Sequence, residues 1–144
     1  MNRPIQEIER ELVEEFSLFD DWMDKYQYII EMGQSLEGLP ETDKTPDNIV
    51  KGCVSQVWLT ADYDGSEIQF HADSDAVITK GLIAMLIRVI SGHTPKEIAT
   101  ADLGFIDQVG IRQHLSPNRS NGLTSMVKKM KLYAMAYAAK EAQG

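Results

Sequence analysis

The strongest constraint on this chain is a pair of alternating segments near its middle. In Val54–Ala61, Val57, Leu59 and Ala61 fall on one side and Gln56, Trp58 and Thr60 on the other. That is the period-two pattern of a half-buried strand. Glu67–Ala72 alternates again through Ile68, Phe70 and Ala72. Asp62-Tyr63-Asp64-Gly65-Ser66 lies between them, and a glycine-containing turn between two such runs predicts an antiparallel hairpin.

The flanking sequence has a helical period. Ile5, Ile8, Leu12, Phe16 and Phe19 recur at spacings of three and four, with Glu7, Glu9, Glu11, Glu14 and Glu15 filling a solvated acidic face. A second helix is expected from Asp21 to about Glu37. Trp22, Tyr26, Ile29 and Ile30 form its apolar stripe, Gly33 weakens its last turns, and Leu39-Pro40 ends it. Glu41–Asn48 reads as an ordered polar loop. After the hairpin, Asp73-Ser74-Asp75 is a cluster of N-cap residue types, and Asp75 is expected to cap a largely buried helix over Ala76–Ile90. Thr94-Pro95-Lys96-Glu97 is a capping box that opens a short helix ending near Thr100. Leu103–Gly110 reads as a short helical piece. Leu115–Gly122 reads as a turn-rich segment, and a last helix is expected from Leu123 to Ala139, with Leu123, Met126, Val127, Met130, Ala134 and Tyr137 inward. The order α-α-β-β-α-α-α defines an α+β fold, a small antiparallel sheet packed by helices, in one domain over residues 1–144. A third short strand fits this pattern but has no clear place.

Composition narrows the function. The 144 residues carry 14 basic and 22 acidic side chains, a net charge of −8. That disfavours nucleic acid and anionic lipid as partners. The charge is uneven: residues 1–50 hold 13 acidic and 4 basic side chains, a dipole able to steer a partner. The most apolar window, Gly81–Ile90, is about half the length of a membrane span and contains Arg88. No apolar stretch follows a positive region at the N-terminus, so a cytoplasmic location is expected. The single cysteine, Cys53, rules out an intramolecular disulfide and a four-thiolate zinc or iron–sulfur site within one chain.

Cys53 is therefore the chief candidate for chemistry. It follows a polar, proline-containing loop and precedes the first strand, where a rigid scaffold displays reactive groups. Gly52 gives the backbone freedom to turn, and Lys51 offers a positive charge that would favour the thiolate. The competing reading is a small buried hydrophobe with no reactivity. His71, His93 and His114 lack metal-ligand spacing and read as surface or cap residues, although His71 on the second strand has the option of approaching Cys53 across the hairpin. Arg119, in a turn, reads first as a binder of backbone carbonyls. No phosphate loop, dinucleotide fingerprint or metalloprotease motif is present.

Gly52-Cys53-Val54-Ser55-Gln56-Val57-Trp58 resembles the central GCxSxVW motif of the SufE family of sulfur acceptors. Tyr28–Gly33, Asp73–Ala76 with Lys80–Ala84, and Leu115–Leu123 resemble three further segments of that family in the same order. The resemblance implies a fold similar to the scaffold IscU and a persulfide relay. In that relay Cys53 takes sulfur from a SufS- or CsdA-type cysteine desulfurase, stimulates it, and passes the sulfur to a SufBCD-type assembly scaffold. It implies that Gly52 and Ser55 shape the cysteine loop, that Gln56 helps hold it, that Asp75 stands next to it, and that Arg119 meets the partner or steadies the loop. It implies no metal and no cofactor on this chain, with pyridoxal phosphate on the desulfurase. The alternatives are an iron–sulfur scaffold, a non-covalent desulfurase regulator, a cysteine hydrolase, and a plain interaction module.

Overall fold

The computed structural model describes residues 3–143. The hairpin forms as the alternation predicts. Strand β1 (Val57–Tyr63) pairs antiparallel with β2 (Ile68–Ser74), in a register running from Val57 opposite Ser74 to Tyr63 opposite Ile68. Val57, Leu59, Ile68, Phe70 and Ala72 are buried, and His71 and Gln69 point to solvent. Both strands sit later in the chain than the sequence suggested. Val54 is 77% exposed, and the backbone N–H of Gln56 is taken by the Asp75 carboxylate instead of a ladder partner, so the residues before Val57 form a loop. The turn tightens to Asp64–Glu67, because Asp64 Oδ1 accepts the N–H groups of Ser66 and Glu67, each at 2.8 Å. Among the described residues no third strand forms; two single-residue bridges, Ile49 with Trp58 and Ile68 with His93, flank the hairpin.

Helices supply the rest of the core. Helix α1 (Ile5–Phe16) buries Ile5, Ile8, Leu12 and Phe16, and α2 (Trp22–Gln34) buries Ile29 and Gly33. Helix α3 (Val77–Ile90) is buried over most of its length and packs between α2 and the sheet. The α2–α3 crossing depends on two glycines. A methyl group on Gly33 would stand 2.7 Å from the Gly81 nitrogen, and one on Gly81 would stand 2.2 Å from the Ile29 carbonyl oxygen. Gly33 thus does not weaken the helix end; its missing side chain lets two backbones approach. Helices α4 (Pro95–Thr100), with the predicted capping box, α5 (Phe105–Val109) and α6 (Ile111–His114) lead into α7 (Pro117–Gln143).

Three expectations need correction here. Helix α7 begins six residues before Leu123: Ser116 Oγ accepts the Arg119 N–H at 3.3 Å and Pro117 fills the first turn, so the turn-rich segment is the helix start. The acidic face of α1 is not wholly solvated. Arg88 on α3 reaches Glu11 at 2.8 Å and also bonds Glu15 and Tyr28. Hydrogen bonds from Arg3 and Arg88 hold the Glu11 carboxyl down at about 2. Finally, His93 is a core residue, 3% exposed, with its ring nitrogens facing the carbonyl oxygens of Ile90 and Arg3. Among the described residues no helix is long and apolar enough to cross a membrane.

Candidate functional site

Cys53 lies in the loop that joins the segment after α2 to β1. Gly52 holds the preceding turn at φ +96°, where a Cβ would stand 2.3 Å from Ser125 Oγ. Only glycine meets both demands without strain. The turn lays Cys53 against the first third of α7. Its half-buried thiol donates to the Gly122 carbonyl oxygen at 3.6 Å, and a Cβ on Gly122 would fall 3.3 Å from the sulfur. The cavity beside the thiol is about 30 Å3, room for little more than a water molecule or a single sulfur atom. Ser55, Thr79, Leu82, Asn118, Arg119 and Met126 line it along with Gly122.

Burial raises the Cys53 pKa above its ordinary value. Lys51, expected to favour the thiolate, does not offset this; it is exposed, and desolvation alone sets the direction. The resting thiol is therefore protonated near neutral pH and shielded, as suits a group that reacts only after its surroundings change.

The other sequence candidates gather around this loop. Asp75 does not cap α3, whose N-cap is Ala76 with no side-chain bond. Instead its carboxylate accepts the Gln56 N–H at 3.0 Å, and its own N–H donates to the Gln56 carbonyl at 3.3 Å. Ser74 Oγ also donates to that carbonyl, at 2.8 Å. Gln56 thus holds the loop through its backbone, clipped to the β2–α3 junction. Ser55 lines the cavity. Arg119 lines it too, exposed, and its guanidinium has no hydrogen bond or ion pair among the described residues, contrary to the expectation of carbonyl binding. His71 does not approach Cys53; it faces Asp62 across the hairpin at 3.3 Å, and no histidine lines the thiol cavity. A Cys–His hydrolase therefore lacks its base.

Sequence reasoning missed Gly122, Ser125 and Met126, although a signal existed. Asn118, Arg119, Gly122 and Met126 follow helical spacing, but the turn-forming residues of Leu115–Gly122 separate the first three from the helix expected to carry Met126. It also missed Asp73, a buried carboxylate two residues from Asp75. Asp73 accepts the N–H groups of Leu39 at 3.2 Å and Ser74 at 2.8 Å, and pairs with Lys44 and Lys80 at 3.2 and 3.3 Å. Burial pushes its pKa up, but those four donors outweigh it and hold the carboxyl at about 2.

The site is a lone thiol on a loop seated against one long helix, in an α+β scaffold with a two-stranded sheet. A solved structure has this architecture: the solution structure of a hypothetical protein from Thermus thermophilus superposes with a TM-score of 0.75 at 16% identity, covering 92% of this chain and 96% of that one. Sequence relatives are nearer. SufE-like proteins of Rhizobium etli and Rhizobium meliloti are 41% and 39% identical over 134 and 126 residues, covering 90% and 84% of this chain and 90% of each relative. One from Synechocystis is 37% identical over 133 residues, covering 92% of this chain and 84% of its own. The SufE family model, described as an Fe-S metabolism associated domain, matches residues 10–134. The chain belongs to the SufE family, and its role lies in iron–sulfur metabolism.

Proposed function

We propose that this protein carries sulfur as a persulfide on Cys53 between a SufS- or CsdA-type cysteine desulfurase and a SufBCD-type assembly scaffold. The observation that carries the reading is the placement of its only thiol: a short clipped loop, half-buried against Gly122, beside a cavity the size of one sulfur atom and an arginine with no side-chain partner among the described residues.

The transfer is a thiol exchange. The Cys53 sulfur, once its proton has left, attacks the terminal sulfur of the donor's persulfide. A new S–S bond forms to Cys53 as the donor's S–S bond breaks, and the donor's cysteine leaves as a thiolate that takes up the proton. No electrons are gained or lost overall. Passage to the scaffold repeats the exchange with Cys53 as the leaving group. The pyridoxal phosphate that frees sulfur from L-cysteine belongs to the desulfurase, and this chain works without a cofactor or metal of its own.

Desolvation opposes thiolate formation in the resting loop, so docking has to lift Cys53 away from Gly122. The loop is clipped only at Gln56, by Asp75 and Ser74, so Cys53 can move while that clip stays closed. Once loaded, the small cavity shields the sulfur from oxidants, and the absence of a second cysteine prevents its release as sulfide through a disulfide. A cluster-building scaffold would need several thiolates, which this chain does not supply.

Intact-protein mass spectrometry after incubation with desulfurase and L-cysteine tests the acceptor step. The expected result is a gain of one or more sulfur atoms on the wild type, reversed by reductant and absent from Cys53→Ser. Equal stimulation of the desulfurase by Cys53→Ser, with no mass gain on the wild type, would favour a non-covalent regulator.

A further inference from the structure

All 22 acidic residues of this chain lie outside residues 108–140, and that stretch holds Arg112, Arg119, Lys128, Lys129, Lys131 and Lys140. Among the described residues none of those six forms an ion pair. Arg112 bonds the Ser120 carbonyl and Thr124, Lys131 bonds the Ala101 carbonyl, and Lys129 lies over the Tyr133 ring. Elsewhere half of the eight basic residues, Arg3, Lys44, Lys80 and Arg88, are paired with carboxylates. From Pro117 to Lys140 helix α7 thus carries basic side chains and no carboxylate, a positive strip on an acidic protein, with Arg112 of α6 beside it.

Two of the most exposed apolar side chains sit in the middle of it. Leu132 and Met135 are each 57% exposed. Lys128 stands four residues before Leu132 and Lys131 four before Met135, so charge and apolar groups share one face. They border a groove of about 330 Å3 with Arg112, Thr124 and Val127. A second groove of about 390 Å3 joins Leu132, Lys128 and Lys129 to Ser125, Val50 and Lys51. Ser125 is the residue against which Gly52 turns, so the strip runs without interruption into the Cys53 loop.

We infer that this face of α7 docks the sulfur donor, through an acidic surface on the donor that carries apolar side chains for Leu132 and Met135. The inference rests on the carrier reading above. Charge complementarity sets the sign of the partner surface and speeds encounter. Continuity with Cys53 sets which partner: one partner surface of standard size, roughly 800 Å2, covers both the strip and the loop. The donor has to bring its persulfide to the Cys53 sulfur itself, so its docking surface must adjoin this loop, and a desulfurase is the partner that the SufE domain implies. Extended polyanions fit less well, because the strip is bounded by an acidic molecule that repels them.

The test measures binding of a SufS-type desulfurase to this chain in a Cys53→Ser background, so that it reads docking and not sulfur transfer. Lys128→Glu with Leu132→Asp should weaken binding at least tenfold at low salt, with the gap narrowing as salt rises. Met135→Asp, at an exposed side chain, should weaken it by itself, and Glu14→Lys on α1 should leave it unweakened. Equal affinity for wild-type and reversed strips overturns the inference, as does no binding by either. Binding of the unreversed strip to phosphatidylglycerol vesicles, or its self-association, in place of the desulfurase also overturns it. Mass gain on Cys53, read separately, reports on the carrier reading and can fail or succeed without changing this outcome.

Discussion

Two carboxylates two residues apart, Asp73 and Asp75, hold opposite ends of the segment that joins α2 to β1, and they do so very differently. Asp73 is buried, gathers four donors and fixes the Leu39–Lys44 end. Asp75 is exposed and ties the Cys53 end by its exchange of bonds with Gln56. The contact of Cys53 itself with α7 is a weak sulfur–carbonyl bond at 3.6 Å. One end is therefore built as scaffold and the other as a latch. A loop of this kind can release a thiol without loosening the fold that aims it.

The comparison breaks first at Asp73. Asp73→Asn should lower stability by about 2–3 kcal/mol, because it removes the anion that charged and backbone donors share; urea unfolding reads this directly. The acid limb of the stability curve sharpens it. The Asp73 carboxyl is held at about 2, below its ordinary value near 4. Its contribution is complete above about pH 4 and is lost as pH falls toward 2, a change of roughly 2 kcal/mol. Glu11, also at about 2, titrates in the same window, so the difference between wild type and Asp73→Asn isolates the Asp73 share.

Smaller effects belong to the latch. Gly52→Ala forces a Cβ onto a backbone at φ +96° and against Ser125; it should cost roughly 1–3 kcal/mol and displace the thiol, raising its alkylation rate by iodoacetamide. Asp75→Ala should cost about 1 kcal/mol or less yet raise the same rate, since it removes the carboxylate that accepts the Gln56 N–H while the Asp75 N–H and the Ser74 hydroxyl keep the Gln56 carbonyl and Asp73 stays in place; Ser74→Ala added to it should raise the rate further. If Asp75→Ala instead destabilised the fold as much as Asp73→Asn, the division into scaffold and latch would be wrong.

How much was legible follows the same division. Periodicity located the hairpin, the core faces of α1, α3 and α7, and the capping box at Thr94, because those depend on local pattern. The α+β class followed from their order. The motif around Cys53 marked the loop. What the sequence hid depends on contacts between distant residues. Asp75 looked like a helix cap because its type and place fit one, but the Gln56 N–H, remote in sequence, took its carboxylate. The start of α7 was hidden by Ser, Pro, Asn and Gly, all turn formers, which Ser116 converts into a capped helix. Gly33 was read as a weak point for lack of its partner, Gly81. The burial that raises the Cys53 pKa, and the failure of Lys51 to counter it, exist only once α7 lies against the loop.

The central claim is that sulfur passes through Cys53 and not around it. Supplying desulfurase and L-[35S]cysteine, isolating this chain, and then adding SufBCD-type scaffold follows both halves of the passage. The account predicts label on the wild type that reductant removes, that moves to the scaffold on mixing, and that never appears on Cys53→Ser. Label reaching the scaffold as fast with Cys53→Ser as with the wild type would contradict it.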